Sequence, residues 1–232
     1  MGSDLIQKEW EWAEEFIKKT GRPERLFKVD KMKTALVVID MQNAFVASGS
    51  TIEVPKGREI VPNINQLVRA CRKVGIPVIW VVSMFRSEAE WGLITAFEPE
   101  SPMGTGRETP MDELKWGAIG TKIWQELEVD PVKDHEVVKC RYSAFISGSS
   151  NLERLLRTLG RDHLVMAGVA TNACVGSTAM DAMMLDFKVT FVSDATAAFT
   201  DFLQQAFLIN LKLVFADVLI TSQVLHQIAQ AL

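Results

Sequence analysis

HLVMAGVATNACVGSTAMDAMMLDF, residues 163–187, decides the architecture. Its first six residues form a short apolar run. The small residues 169–173 then make a turn, and 174–187 has the spacing of a helix. Strand, tight turn and helix in that order are one unit of a parallel sheet covered by helices. Comparable apolar runs lie at 34–39 (TALVVI), 76–82 (IPVIWVV), 135–138 (HEVV), 188–192 (KVTFV) and, more weakly, 214–219. Helical spacing separates them at 62–74, 151–159, 201–212 and 222–231. In the second of these helices Ser150 stands three residues before Glu153, the pattern of a capping box, and Gly160 marks the stop. Runs that are apolar throughout belong to strands buried on both faces. The expectation is an α/β protein with three layers, α/β/α, around a six-stranded parallel sheet.

The chain has 232 residues, 48% of them hydrophobic and 23% charged. Folding one domain of that length buries roughly 70–75% of the surface exposed by the unfolded chain. No repeat or linker interrupts 34–232, which reads as one domain. A net charge of −4 disfavours a nucleic-acid partner, since such proteins concentrate basic charge on one surface. Arg69, Arg72 and Lys73 read as a solvated helix face. No apolar run reaches the ~20 residues that span a bilayer, and the first thirty residues mix charges with tryptophans, unlike a signal peptide. A cytoplasmic protein without a membrane partner is expected. Cys71, Cys140 and Cys174 are odd in number and lack metal-type spacing, so a thiol is free for chemistry.

Two regions depart from the pattern. Residues 1–33 carry Trp10, Trp12, Phe16 and Ile17 among many charges, an amphipathic helical extension that packs either on its own domain or on a second subunit. Residues 83–120 hold Pro99, Pro102, Pro110 and five glycines, with Phe85, Trp91, Phe97 and Trp116 among them. So long an irregular connection is either a lid or substrate wall, or a packed surface loop.

Ligands of an open parallel sheet bind beyond the carboxyl ends of its strands. Asp40 ends the first run, Lys139 ends the third, and Cys174 follows the fourth across a short turn. Cys174 at a helix start, with the Lys139 ammonium nearby, has the setting of a thiol of lowered pKa. Asp40 suits proton transfer, first from the thiol and later to a leaving nitrogen. The turn 168–174 offers backbone N–H groups for an oxyanion, and Gly168 and Ala170 are small enough for close substrate approach. Each residue alone has a bland reading, as turn, solvated cation or buried filler. Their joint placement at one rim favours a catalytic triad. Arg141, Tyr142 and Asn172 flank it as substrate contacts or as supports. Cys140 reads as packing.

Metal-assisted hydrolysis needs about three converging ligands, and the histidines His135, His163 and His226 read as structural. His135 and His163 begin strands, on the rim away from Asp40. No serine-hydrolase elbow, phosphate loop or dinucleotide fingerprint is present.

ALVVIDMQNAF at 35–45, VVKCRYSAF at 137–145, LVMAGVATNACVGSTAMDA at 164–182 and VTFVSDATAAF at 189–199 resemble the isochorismatase-like cysteine hydrolase superfamily over about 34–232. The resemblance implies a Rossmann-like six-stranded parallel sheet and an Asp-Lys-Cys triad of Asp40, Lys139 and Cys174. It also implies a cis bond between Val169 and Ala170, with an oxyanion hole from the Ala170 and Cys174 N–H groups. Phe45 is expected to line the pocket, with Phe85 and Trp91 as further wall residues. Nicotinamidases of this superfamily bind a metal through histidines soon after the first strand, whereas this chain has no histidine before His135. Isochorismatases proper typically lack the nucleophilic cysteine. The closest look is to ureidoacrylate and N-carbamoyl amidohydrolases. The expected activity is hydrolysis of a C–N bond in a small amide or ureide, with no cofactor and no metal, by a homo-oligomer (dimer or tetramer). The alternatives are an isochorismatase- or nicotinamidase-type hydrolase on the same scaffold, or a non-catalytic interaction protein retaining the fold.

Overall fold

The computed structural model describes residues 2–21, 23, 26–86 and 110–231. Along the chain run α1 (Gly2–Lys19), β1 (Thr34–Ile39), α2 (Val61–Val74), β2 (Val78–Ser83), β3 (His135–Lys139), α3 (Leu152–Thr158), β4 (His163–Val169), α4 (Gly176–Met184), β5 (Lys188–Ala197), α5 (Asp201–Asn210), β6 (Asp217–Leu219) and α6 (Thr221–Gln230). The strands form one six-stranded sheet in the order β3-β2-β1-β4-β5-β6. Every neighbouring pair is parallel. The chain builds outward from β1 in one direction to β3, then returns to place β4 on the other side of β1. The β1–β4 boundary is therefore the switch point at which such sheets open a crevice.

Strand alternation sorts a continuous apolar sequence into two cores. Leu36, Val38, Val78, Trp80, Val165 and Val192 pack with Ile64, Leu67 and Val68 of α2 and Val224 and Ile228 of α6. Ala35, Val37, Ile39, Ile79, Val81, Leu164, Met166 and Phe191 pack on the other face with Leu152 and Leu156 of α3, Ala179 and Ala182 of α4, and Leu208 of α5. Cys174 belongs to this second core. Among the described residues no helix is long and apolar enough to cross a membrane.

The structure corrects several local expectations. Ser150 does not form the capping box: Asn151 is the N-cap of α3 and makes no side-chain cap bond. The Ser150 hydroxyl instead donates to the Ala144 carbonyl at 2.7 Å and accepts from the Leu152 N–H at 3.1 Å, tying the loop after β3 to the helix. Cys174 does not open its helix. A wide, π-type turn spans Thr171–Val175 and α4 continues from Gly176. A Cβ on Gly176 would meet the Phe207 ring at 2.2 Å, so this glycine lets α5 close on the turn. Gly168, expected to admit substrate, is instead occupied by backbone. Its φ is 113° and a Cβ there would stand 2.0 Å from the Ile39 carbonyl oxygen, so its missing side chain lets β4 and the end of β1 meet.

Helix α1 packs on its own chain. Trp10 Nε1 donates to Gln205 Oε1 at 3.0 Å, and Lys212 pairs with Glu14 at 3.2 Å while its ammonium lies 5.2 Å from the Trp10 ring centre. Beyond it, the Leu26 and Phe27 N–H groups donate to the Asp217 carboxylate, which anchors the extension to β6.

His163 is buried at the amino end of β4, with Nδ1 3.2 Å from Thr34 Oγ1 and Nε2 2.9 Å from Thr190 Oγ1. His226 lies 2.9 Å from Gln230 on the exposed side of α6. Of the long connection after β2, residues 87–109, with Trp91 and Phe97, lie outside the described residues. The described part returns to the sheet, where Phe85 donates its N–H to Leu114 O at 2.9 Å and accepts from Trp116 N at 2.7 Å.

Candidate active site

Asp40, Ser83 and Lys139 terminate or immediately follow the adjacent strands β1, β2 and β3, and all three side chains are buried. Asp40 adopts a left-handed φ of 54°, a region that few non-glycine residues occupy but in which Asp is enriched. Such conformations cluster where function holds them. Its N–H is held by the Val81 carbonyl at 2.8 Å. The Lys139 side chain reaches across the end of β2: its Nζ lies 2.9 Å from Asp40 Oδ2, donates to Ser83 Oγ at 2.6 Å and donates to the Arg141 carbonyl at 3.0 Å. Ser83 passes the bond on, donating to Asp40 Oδ1 at 3.0 Å.

Gln42 pins the Ser83 backbone in place. Its Oε1 accepts from the Ser83 N–H at 2.7 Å, while its Nε2 donates to Ser83 O at 3.0 Å and Gly120 O at 3.2 Å. Asp40 Oδ2 is fully buried and, although ion-paired with Lys139, has no aligned hydrogen-bond donor. The contact is charge pairing that leaves a lone pair of Oδ2 open.

Cys174, on the π-type turn after β4, comes within hydrogen-bonding reach of both Asp40 and Lys139 and is 5% exposed. Burial pushes its thiol pKa up. The Asp40 charge adds to that shift, and the Lys139 ammonium opposes it without overcoming it. The expectation of a lowered thiol pKa is thereby reversed: removal from water outweighs the ammonium. Burial also works against the charge of Lys139, but the Asp40 carboxylate 2.9 Å away opposes it and its pKa is raised. Burial thus favours the thiol form of Cys174 beside the Asp40–Lys139 ion pair.

The bond between Val169 and Ala170 is cis. In the turn that follows, the Ala173 and Val175 N–H groups both donate to the Ala170 carbonyl, at 3.0 and 3.2 Å. Thr171 Oγ1 and Asn172 Oδ1 are buried and unpartnered beside Cys174.

The other sequence-derived candidates divide. Tyr142 is partly exposed yet lies in the electrostatic field of Cys174 and Lys139, and burial raises its pKa. Phe45 packs on the small cluster of Ala44, Phe85 and Leu114. Phe85 is buried in that cluster. The Arg141 guanidinium folds back on Cys140, with Nη1 2.8 Å from its carbonyl oxygen and 3.4 Å from its sulfur. Cys140 itself packs against the Phe85 cluster.

Ser83, Gln42 and Thr171 escaped the sequence reading. Ser83 obeys the rule that selected Asp40 and Lys139, but the apolar run of β2 reads as ending at Val82. Among the described residues no three His, Cys, Asp or Glu side chains group as metal ligands.

The parallel α/β/α sandwich brings an acid, an amine and a thiol together at one rim of its sheet. Residues 34–223 match the isochorismatase domain, and the chain belongs to that family of hydrolases. It is 37% identical over 180 residues to a "Probable inactive nicotinamidase" of Arabidopsis thaliana, covering 77% of this chain and 88% of that protein. It is 36% identical over 212 residues to the ureidoacrylate amidohydrolase RutB of Pseudomonas savastanoi pv. phaseolicola, covering 84% and 83% respectively. The crystal structure of a cysteine hydrolase from Pseudomonas syringae pv. phaseolicola superposes with a TM-score of 0.81 at 24% identity, over 91% of this chain and 99% of that one, a likeness of fold.

Proposed function

We propose that the protein is a cysteine-dependent amidohydrolase that cleaves a C–N bond of a small amide, ureide or N-carbamoyl compound, in the cytoplasm and without a cofactor. The observation that carries this reading is the buried Asp40 carboxylate, ion-paired through Oδ2 to Lys139 at 2.9 Å and within reach of the Cys174 thiol. Similarity to the RutB ureidoacrylate amidohydrolase supports the choice of bond.

Since burial disfavours the thiolate of Cys174, attack calls for a base at the moment of bond formation. Asp40 takes the Cys174 proton as the sulfur bonds to the substrate carbonyl carbon, and the carbonyl π pair moves onto oxygen. The Ala170 and Cys174 N–H groups receive that oxyanion. The oxyanion collapses, the C–N bond breaks with its electron pair on nitrogen, and Asp40 returns the proton to the leaving ammonia or amine. A thioester or thiocarbamate remains on Cys174. Asp40 then deprotonates a water that attacks the same carbon, and the sulfur departs and recovers the proton. Lys139 remains an ammonium throughout, orienting Asp40 and countering charge in a dry site.

Mass spectrometry of enzyme quenched during turnover tests this directly, with an acyl or carbamoyl adduct expected on the Cys174 peptide. A fully active Cys174→Ala variant would refute it. The description of the Arabidopsis relative as inactive favours a second reading, a non-catalytic protein retaining the fold. A screen for ammonia release over ureides, carbamoyl amino acids, nicotinamide-like amides and enol ethers separates these, since release from none of them together with an unmodified Cys174 selects the second reading.

A further inference from the structure

Asp40, Ser83 and Lys139 stand at the ends of neighbouring strands, so the sheet ladder itself fixes how far apart they lie. Cys174 has no such ladder toward Lys139. The strands β3 and β4 are separated by β2 and β1, and Cys174 lies beyond the end of β4 on the π-type turn. The loop after β3 crosses this gap, since Ala144 and Phe145 share the second core with Cys174 and Ala179. One hydroxyl joins the loop to the turn. Thr178, fully buried on α4, donates its O–H to the Cys174 carbonyl at 2.7 Å and accepts from the Ala144 N–H at 3.1 Å. A threonine that bonds the carbonyl four residues back is a common helical habit. Receiving an N–H from a residue 34 positions away is no part of that habit. The proton of the hydroxyl goes to the backbone of the nucleophile and a lone pair goes to the loop.

The other end of the same loop holds the amine, because Lys139 Nζ donates to the Arg141 carbonyl at 3.0 Å. Between the two ends the loop is braced by hydroxyls, Ser149 donating to Ser143 O at 2.6 Å and Ser150 to Ala144 O at 2.7 Å. A path therefore runs from the ammonium through residues 141–144 and the Thr178 oxygen to the Cys174 carbonyl, separate from the path through Ser83 and Asp40. Ala144 is buried, so without this oxygen its N–H would be cut off from water as well as from protein acceptors. We propose that Thr178 is a positioning residue of the reaction, holding the turn that bears Cys174 against the loop that anchors Lys139, so that the sulfur keeps its place beside the ammonium and the carboxylate. Thr178 touches no reacting atom and acts through Cys174, and its part rests on the nucleophilic role proposed above for that residue. A misplacement of ~1 Å at a reacting centre costs roughly 100-fold in rate.

Thr178→Ala and Thr178→Ser differ by the oxygen alone, and that pair is the test. The probe is whichever ureide, carbamoyl amino acid or primary amide releases ammonia fastest in the screen described above. Quenched mass spectrometry follows the rate at which the Cys174 adduct forms, beside steady-state kcat and KM, and circular dichroism gives the folded fraction. Thr178→Ala should slow both the adduct and kcat by ~10- to 100-fold, with KM changed less than kcat, and Thr178→Ser should return most of that loss. Should Thr178→Ala fail to fold, Thr178→Val, which keeps the shape and removes the hydroxyl, is compared with Thr178→Ser in its place. A folded variant without the hydroxyl that forms the adduct at the unmodified rate overturns the proposal. Equal losses in the variants with and without the oxygen also overturn it, because they assign the effect to packing of the methyl group. Turnover by the unmodified protein with no adduct on Cys174 overturns the nucleophilic role itself, and the proposal with it.

Discussion

The Lys139 ammonium donates to the Ser83 hydroxyl at 2.6 Å, across the end of β2. This short bond joins outer strand β3 to the switch point, because Ser83 passes it to Asp40 at 3.0 Å. Hydrogen bonds to charged groups contribute about 1.5–3 kcal/mol each. Ser83→Ala is therefore expected to lower kcat by roughly 10- to 100-fold while Cys174 still acquires its adduct, slowly. Steady-state kinetics and adduct mass spectrometry check this, and an unchanged kcat would remove Ser83 from the machinery.

The three thiols should label in a definite order. Cys140 is partly exposed and free. Burial pushes Cys71 up to about 12, and pushes Cys174 up as well. Iodoacetamide at neutral pH should modify Cys140 first and leave Cys174 largely intact in the resting protein, as read by peptide mapping. Rapid labelling of Cys174 near neutrality would mean that Lys139, not burial, sets its ionisation.

His163 should make the fold acid-sensitive. Burial lowers its pKa from 6.5 to about 4 in the native state, so between those values the unfolded chain binds a proton that the folded one does not. Its contribution is complete above pH 6.5 and is lost as pH falls toward 4. The loss amounts to about 3 kcal/mol, from a difference of 2.5 units at about 1.36 kcal/mol each. Urea midpoints measured across that window should fall with pH, and His163→Gln should flatten the dependence.

Gly168→Ala should be severely destabilising. The added Cβ would stand 2.0 Å from Ile39 O and 2.7 Å from Ile39 N, both unyielding backbone, at a φ of 113°. A loss of roughly 3 kcal/mol or more is expected, measured by denaturant unfolding. Activity should fall with it, because the clash lies one residue before Asp40.

The amino-acid sequence determined the layered α/β plan. Apolar runs too short for helices, alternating with segments of helical spacing, have few other ways to bury both faces of their strands. It also determined the chemistry available at the rim, since Asp40, Lys139 and Cys174 each follow a run whose end is readable from composition. Only the tertiary structure decided how those residues communicate. The order β3-β2-β1-β4 puts Ser83 between Lys139 and Asp40, and strand order arises from long-range packing that no local pattern records. The same holds for the thiol's protonation and for the seat of α1. Burial depth and the face a helix buries depend on neighbours distant in the chain, here α5 against α1 and the whole second core around Cys174.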